Sequence, residues 1–173
     1  FQFLYLLFLD CSVCDSTLGK LRAEKTVLDD QTVELNLPSK LGYERIAIGG
    51  LAAFAKSVGF PSPRIEDLKT SVAEACTNAV QHGNKGKTDA RVLVTAKFQD
   101  DVLWISVFDE GSGLKRPLKD PDIDRIIENL DPPVGFGVFL MKRLMDDVEF
   151  DRTSNHLHEV RMMMKRSKKE EPL

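Results

Sequence analysis

The stretch RVLVTAKFQDDVLWISVFDEGSG, residues 91–113, decides the fold. Val92, Val94, Ala96 and Phe98 alternate with Arg91, Leu93, Thr95 and Lys97; Leu103, Ile105 and Val107 alternate with Trp104, Ser106 and Phe108. A period of two marks strands with one buried face, and the short Gln99-Asp100-Asp101 link makes them an antiparallel hairpin. The second strand runs straight into Asp109, Gly111 and Gly113. A carboxylate at a strand end can accept a hydrogen bond from an exocyclic amine, while spaced glycines let a flat ring approach the backbone. A plain Asp/Gly turn reads the same way, so the flanking segments must decide.

Upstream, Ile65, Leu68, Val72, Cys76 and Ala79 recur at helical spacing, and Gly83 closes that helix. Before it, Leu41–Val58 reads as a helix with Ser39 as N-cap, interrupted at Gly49-Gly50. Earlier still, Val33, Leu35 and Leu37 alternate with polar residues in a strand ended by Pro38. Downstream, residues 111–135 dissolve into Gly, Pro and charge, with one short helix predicted around Ile123–Leu130. Helical spacing returns over Phe136–Met145, and Asp147–Arg152 and Leu157–Lys165 form a last strand pair. Hairpins with clustered helices predict an α+β fold: a two-layer sandwich, its sheet mixed but mainly antiparallel, with helices on one face.

Composition narrows the function classes. The 173 residues are 42% hydrophobic and 29% charged, with 24 Lys+Arg against 27 Asp+Glu for a net charge of −3. That suits one globular domain and lacks the basic excess of a dedicated nucleic-acid binder. The opening Phe1–Leu9 run is too short to cross a bilayer, which takes roughly 20 residues, and has no basic n-region or small-residue cleavage site. It reads as an extra strand, a helix docking on the core or a partner subunit, or an added remnant, with a membrane anchor as the alternative. Cys11, Cys14 and Cys76 do not form a zinc set, and His156 and His158 fit ordinary surface histidines of a strand. Three cysteines with no secretion signal point to a reducing cytoplasm.

Two apparent phosphate motifs fail. Gly86-Lys87-Thr88 resembles the tail of a Walker loop, but position 81 is Gln81 and a strand follows instead of a helix. Gly135-Phe136-Gly137 begins like a dinucleotide fingerprint, yet Leu140 replaces the third glycine and no βαβ unit follows. What stays is a pair of glycines opening a helix, which suits phosphate-facing backbone.

Three segments make better sense together. In Glu74-Ala75-Cys76-Thr77-Asn78-Ala79-Val80-Gln81-His82-Gly83, Glu74 and Asn78 stand four apart and share a helix face away from the apolar stripe. Asn is a poor residue for a helix interior, so Asn78 asks for a reason that a solvated face does not supply. The second segment is Asp109-Glu110-Gly111-Ser112-Gly113, and the third is Gly135-Phe136-Gly137-Val138-Phe139-Leu140. In this order they resemble the N, G1 and G2 boxes of the GHKL (Bergerat-fold) ATPases, over roughly residues 31–165. Within that superfamily the chain is most similar to the anti-sigma factor serine/threonine kinases of bacterial partner-switching systems. Sensor histidine kinases, with their upstream phosphoacceptor helices, resemble it less.

The resemblance implies a histidine kinase-like ATPase domain over 31–165, between an N-terminal extension (1–30) and a solvated tail (166–173). It implies ATP and Mg²⁺ as cofactors, with Asn78 as metal ligand and Glu74 as general base. Asp109 would read the adenine, and Gly111 and Gly113 would shape its pocket. Gly135, Phe136 and Gly137 would offer N–H groups to the phosphates, and His82, Val138 and Leu140 complete the implied nucleotide site. Lys115, Arg116, Lys119 and Arg125 of the loop between the boxes are equal candidates for a γ-phosphate contact. The implied partners are a sigma factor and a STAS-domain anti-sigma antagonist, with a homodimer and neither nucleic acid nor membrane. A nucleotide-dependent switch with little catalysis, or the ATPase fragment of a larger signalling protein, are the alternatives. One departure stands out: where the family commonly has Gly-Thr before the last strand, this chain has Leu157-His158-Glu159-Val160, leaving His158 or a water to stand in.

Overall fold

The computed structural model describes residues 31–85, 87, 89–111, 135–153 and 157–167. The elements run β1 (Thr32–Pro38), α1 (Glu44–Ser57), α2 (Ser62–Asn78), a wide π-helical turn (Ala79–Gly83), β2 (Arg91–Gln99), β3 (Val102–Asp109), α3 (Phe136–Leu144), β4 (Asp147–Arg152) and β5 (His158–Lys165). The five strands form one sheet in the order β1-β2-β3-β5-β4, antiparallel at every pairing, in keeping with the mainly antiparallel sheet expected from the sequence. Asp100 and Asp101, at φ of 53° and 63°, make the two-residue turn joining β2 to β3. That left-handed pair matches the twist of the flanking strands, and aspartate tolerates it better than a branched residue.

The alternation seen in the sequence becomes two faces. Val92, Val94, Ala96, Leu103, Ile105, Val107, Met162 and Met164 point into the core and are buried there with Leu51, Leu68, Val72, Cys76 and Met141 of the helices. α1 packs on α2, and α2 on α3. On the opposite face, Trp104 is 42% exposed, and the Arg161 guanidinium and the Ser106 hydroxyl bind the buried Glu159 carboxylate. Burial pushes the Cys76 thiol up to about 12, with Glu44 adding to the shift, which leaves it unreactive at neutral pH. No described helix is long and apolar enough to cross a membrane.

Two expectations about α1 are corrected. The helix is continuous through Gly49-Gly50, and it begins at Glu44 with no side-chain cap, so Ser39 is not its N-cap. Each glycine costs about 1 kcal/mol in helix propensity, but the buried stripe Ala47, Leu51 and Ala55 outweighs it. Gly50 also lets the helix sit close to the sheet: a Cβ there would lie 3.4 Å from Leu35 Cδ1. Ser39 has another task, described below.

One buried ion cluster pins the layers. Arg64 is 3% exposed; its guanidinium pairs with Asp67 at 3.2 Å and with Asp146, and donates to the Leu144 carbonyl at 2.9 Å. Asp146 in turn accepts from the Lys165 N–H at 2.8 Å. The start of α2, the end of α3 and the end of β5 are therefore tied at one point.

Candidate nucleotide site

α2 ends where the sheet's β3 ends, and this meeting builds the site. The α-helix stops at Asn78 and the chain makes a wide turn over Ala79–Gly83, with the Asn84 N–H closing on the Ala79 carbonyl at 2.7 Å. Gly83 is thereby pressed against Asp109. A Cβ at Gly83 would fall inside the Asp109 carboxyl group, and a Cβ at Gly111 would fall inside the Gly83 backbone. No other residue fits at either place without displacing main chain or the carboxylate.

Asp109 is 8% exposed, and its Oδ1 accepts the Gly111 N–H at 2.7 Å. Burial raises its pKa above the ordinary carboxylate value; the Gly111 N–H, His158 and Lys87 pull it back, and Glu110 raises it slightly. His158 is the register partner of Asp109 across β3 and β5 and shares its face of the sheet. Its Nε2 is buried with no hydrogen-bond partner, alongside Ser71 Oγ in that respect.

The segment after Asp109 is held on every side. The Glu110 N–H donates to Asn84 Oδ1 at 2.7 Å, its carboxylate accepts from the Arg91 N–H at 3.2 Å, and its carbonyl accepts from Lys87 Nζ. Asn84, 2% exposed, spends its amide on Ser39 Oγ at 3.2 Å and the Arg91 carbonyl at 2.9 Å. Sequence reading missed Asn84 because its partners are far away in the chain. The one available signal was its place directly after the helix-ending Gly83.

The other end of the site lies a turn and more back along α2. Glu74 and Asn78 are both half-buried, and a Cβ at Gly137 would fall on Glu74 Oε2. Gly135 stands at φ of 83°, a left-handed N-cap position that favours glycine, and no side chain caps α3. The first intrahelical bond runs from the Phe139 N–H to the Gly135 carbonyl at 3.0 Å, so the N–H groups of Phe136, Gly137 and Val138 keep no helical partner. Gly137 itself lies against the Glu74 carboxylate. A helix start with free N–H groups and close backbone access suits phosphate oxygens.

The structure thus brings together Glu74 with Gly137, and Gly83 with Asp109 and Gly111. Val138 turns its side chain into the core, Leu140 is half-buried, and His82 is exposed on the wide turn. Gly113, the four basic loop candidates, His156, Cys11, Cys14 and the short helix expected at 123–130 lie outside the described residues. Among the described residues no group of His, Cys, Asp and Glu could hold a metal ion by itself. A carboxamide oxygen such as that of Asn78 could still supply one hard ligand to a cation held mainly by phosphates.

Comparison with known proteins shows the family and the fold. The family described as histidine kinase-like ATPase domain matches residues 37–164. A serine-protein kinase RsbW of Bacillus pumilus is 37% identical over 133 residues, covering 70% of this chain and 79% of that protein. Another, of Bacillus cereus, is 36% identical over 124 residues, covering 69% and 76%. The solved structure of the RsbU and RsbW domains of a Mycobacterium tuberculosis protein shares the fold at a TM-score of 0.57 and 15% identity. It covers 78% of this chain, which spans 32% of that one. The chain therefore belongs to the histidine kinase-like ATPase domain family, alongside the serine-protein kinases named RsbW.

Proposed function

We propose that the chain is an ATP- and Mg²⁺-dependent protein serine/threonine kinase of the anti-sigma factor type. Its substrate would be a STAS-domain antagonist, and its other partner a sigma factor that it sequesters. The observation that carries this reading is the double contact of glycines on carboxylates: Gly83 against Asp109 and Gly137 against Glu74. These contacts join three motif segments far apart in sequence into one candidate site, with Asp109 at one end and the Glu74 carboxylate at the other.

In that site Asp109 accepts from the adenine amine, and the Gly83–Gly111 contact leaves flat backbone for the ring. The N–H groups of Gly137 and its neighbours Phe136 and Val138 hold phosphate oxygens, and Gly135 gives the turn that aims them. Asn78 offers its carbonyl oxygen to Mg²⁺. When bound, the ion neutralises phosphate charge as it builds during transfer. Glu74 takes the proton from a serine or threonine hydroxyl. That oxygen bonds to the γ-phosphorus as the bond to the β–γ bridging oxygen breaks, so ADP leaves and the phosphoester remains. His82, Val138 and Leu140 are assigned to the wall of the site, Gly113 to the far side of the base pocket. A homodimer in the cytoplasm, built on a domain spanning 31–165, completes the proposal.

The test is direct. Full-length protein with Mg-ATP and its cognate antagonist should produce a phosphoserine or phosphothreonine on the antagonist, and a pull-down should capture a sigma factor. Absence of nucleotide binding, or phosphorylation of histidine instead, would overturn the assignment.

A further inference from the structure

Asn84 belongs to none of the three motifs, yet it is the most completely used polar side chain near the site. Its carboxamide joins three separate stretches of main chain or loop: Ser39 after β1, Arg91 at the start of β2, and Glu110 directly after Asp109. At 2% exposure no water competes for these bonds, so each fixes geometry rather than exchanging with solvent. The wide turn over Ala79–Gly83 delivers this residue to the end of β3, and Gly83, its neighbour, touches the Asp109 carboxylate.

We propose that Asn84 is a positioning residue for the nucleobase: it clamps the Asp109–Gly111 segment so that the Asp109 carboxylate is aimed before ligand arrives. The inference rests on the base-reading role given to Asp109 above. Two features distinguish a clamp from ordinary packing. Asn84 donates and accepts at once, with Oδ1 toward Glu110 N–H and Nδ2 toward the Arg91 carbonyl, so neither Asp nor Leu can replace both bonds. The clamp also acts only on the base end, because Glu74, Asn78 and the start of α3 share none of its partners.

Substituting Asn84→Leu keeps the branching of the side chain and removes the bonds. With the full-length chain at low temperature, the affinity for Mg-ATP should fall about ten- to a hundred-fold, as expected for losing several buried hydrogen bonds. Affinity for Mg-tripolyphosphate, which has no base, should stay within about twofold of wild type, since its anchors lie outside the clamp's partners. The steady-state KM for ATP should rise while kcat at saturation changes little, the pattern of lost ground-state binding. Equal weakening of both ligands, or unchanged ATP affinity in a folded variant, would overturn the clamp. If Asn84→Leu does not fold, hydrogen exchange in the wild-type chain decides: the Glu110 amide should rank with core-strand amides, and exchange at loop rates would overturn the proposal. Asp109→Asn separates the two levels. Should it leave ATP affinity unchanged, the base-reading role falls and the clamp with it; should it weaken ATP while Asn84→Leu does not, only the clamp falls.

Discussion

The two ends of the candidate site are built in opposite ways. Around Asp109 the backbone N–H groups are committed: Gly111 N–H to Asp109, Glu110 N–H to Asn84, Arg91 N–H to Glu110. Around Glu74 and Asn78 no side-chain hydrogen bond to a described residue is made, and both residues are half-exposed rather than sealed. The Asp109 end, proposed to hold the base, is tied by hydrogen bonds; the Glu74 and Asn78 end, proposed to face the phosphates, makes no described side-chain hydrogen bond. A recognition pocket gains from preorganisation, whereas groups that must meet a metal, a phosphate and a second protein's hydroxyl must stay available. Affinity should therefore reside at one end and turnover at the other.

The largest expected effect breaks turnover alone. Glu74→Gln keeps shape and removes the carboxylate proposed as the base, so phosphoryl transfer should drop about 10²- to 10⁴-fold while ATP affinity stays within about twofold. Rapid-quench assays and calorimetric titration on the same preparation check this. Next, Gly111→Ala drives a methyl into the Gly83 backbone, and overpacking of this kind costs about 1–3 kcal/mol or more. Nucleotide binding should fall at least about a hundred-fold, because the pocket floor must move, an effect of roughly 2.7 kcal/mol in binding.

A remote control comes third. Arg64→Ala leaves Asp146 and Asp67 without their buried cation, at a cost of about 3 kcal/mol in stability by denaturant titration. Its effect on ATP affinity, measured where the variant is folded, should be negligible. The smallest effect concerns pH. Because burial raises the Asp109 pKa, the folded state takes up a proton before the unfolded state does as pH falls. The carboxylate's burden on stability is thus fully present at neutral pH and disappears as pH drops through the raised value toward 3.8. The empty Asp109→Asn protein should unfold at a slightly higher temperature than wild type at pH 7, and the gap should close in acid. ATP affinity of the wild type should fall over the same acid window, as the acceptor becomes a donor.

The contrast between the ends also explains what the sequence could disclose. Asp109, Gly111, Gly137, Glu74 and Asn78 stand in short local patterns, and the resemblance of those patterns to a known family is what implies their roles. The strands were legible for the same reason, since Leu103, Ile105 and Val107 alternate cleanly and the structure buries all three. Asn84 and Arg64 were not legible. Asn84 reaches Ser39 and Glu110, and Arg64 reaches Leu144 and Asp146, so their roles depend on contacts that only the fold creates. Continuity of α1 through Gly49-Gly50 escaped for a related reason: local propensity opposed it, and packing of Leu51 and Ala55 against the core prevailed. The double glycine contacts lie between these cases. Each glycine was visible, but that Gly83 presses on Asp109 while Gly137 presses on Glu74 was not.

The most direct test crosses the two ends. ATP affinity and single-turnover transfer of the labelled γ-phosphate to the antagonist are measured on wild type, Glu74→Gln and Asp109→Asn. The account predicts a double dissociation: Glu74→Gln binds ATP normally and transfers at least about a hundred-fold more slowly. Asp109→Asn should bind about ten- to a hundred-fold more weakly, the loss of a hydrogen bond to a charged acceptor, yet transfer near the wild-type rate once saturated. Transfer by Glu74→Gln at the wild-type rate, or undiminished ATP binding by Asp109→Asn, would contradict it.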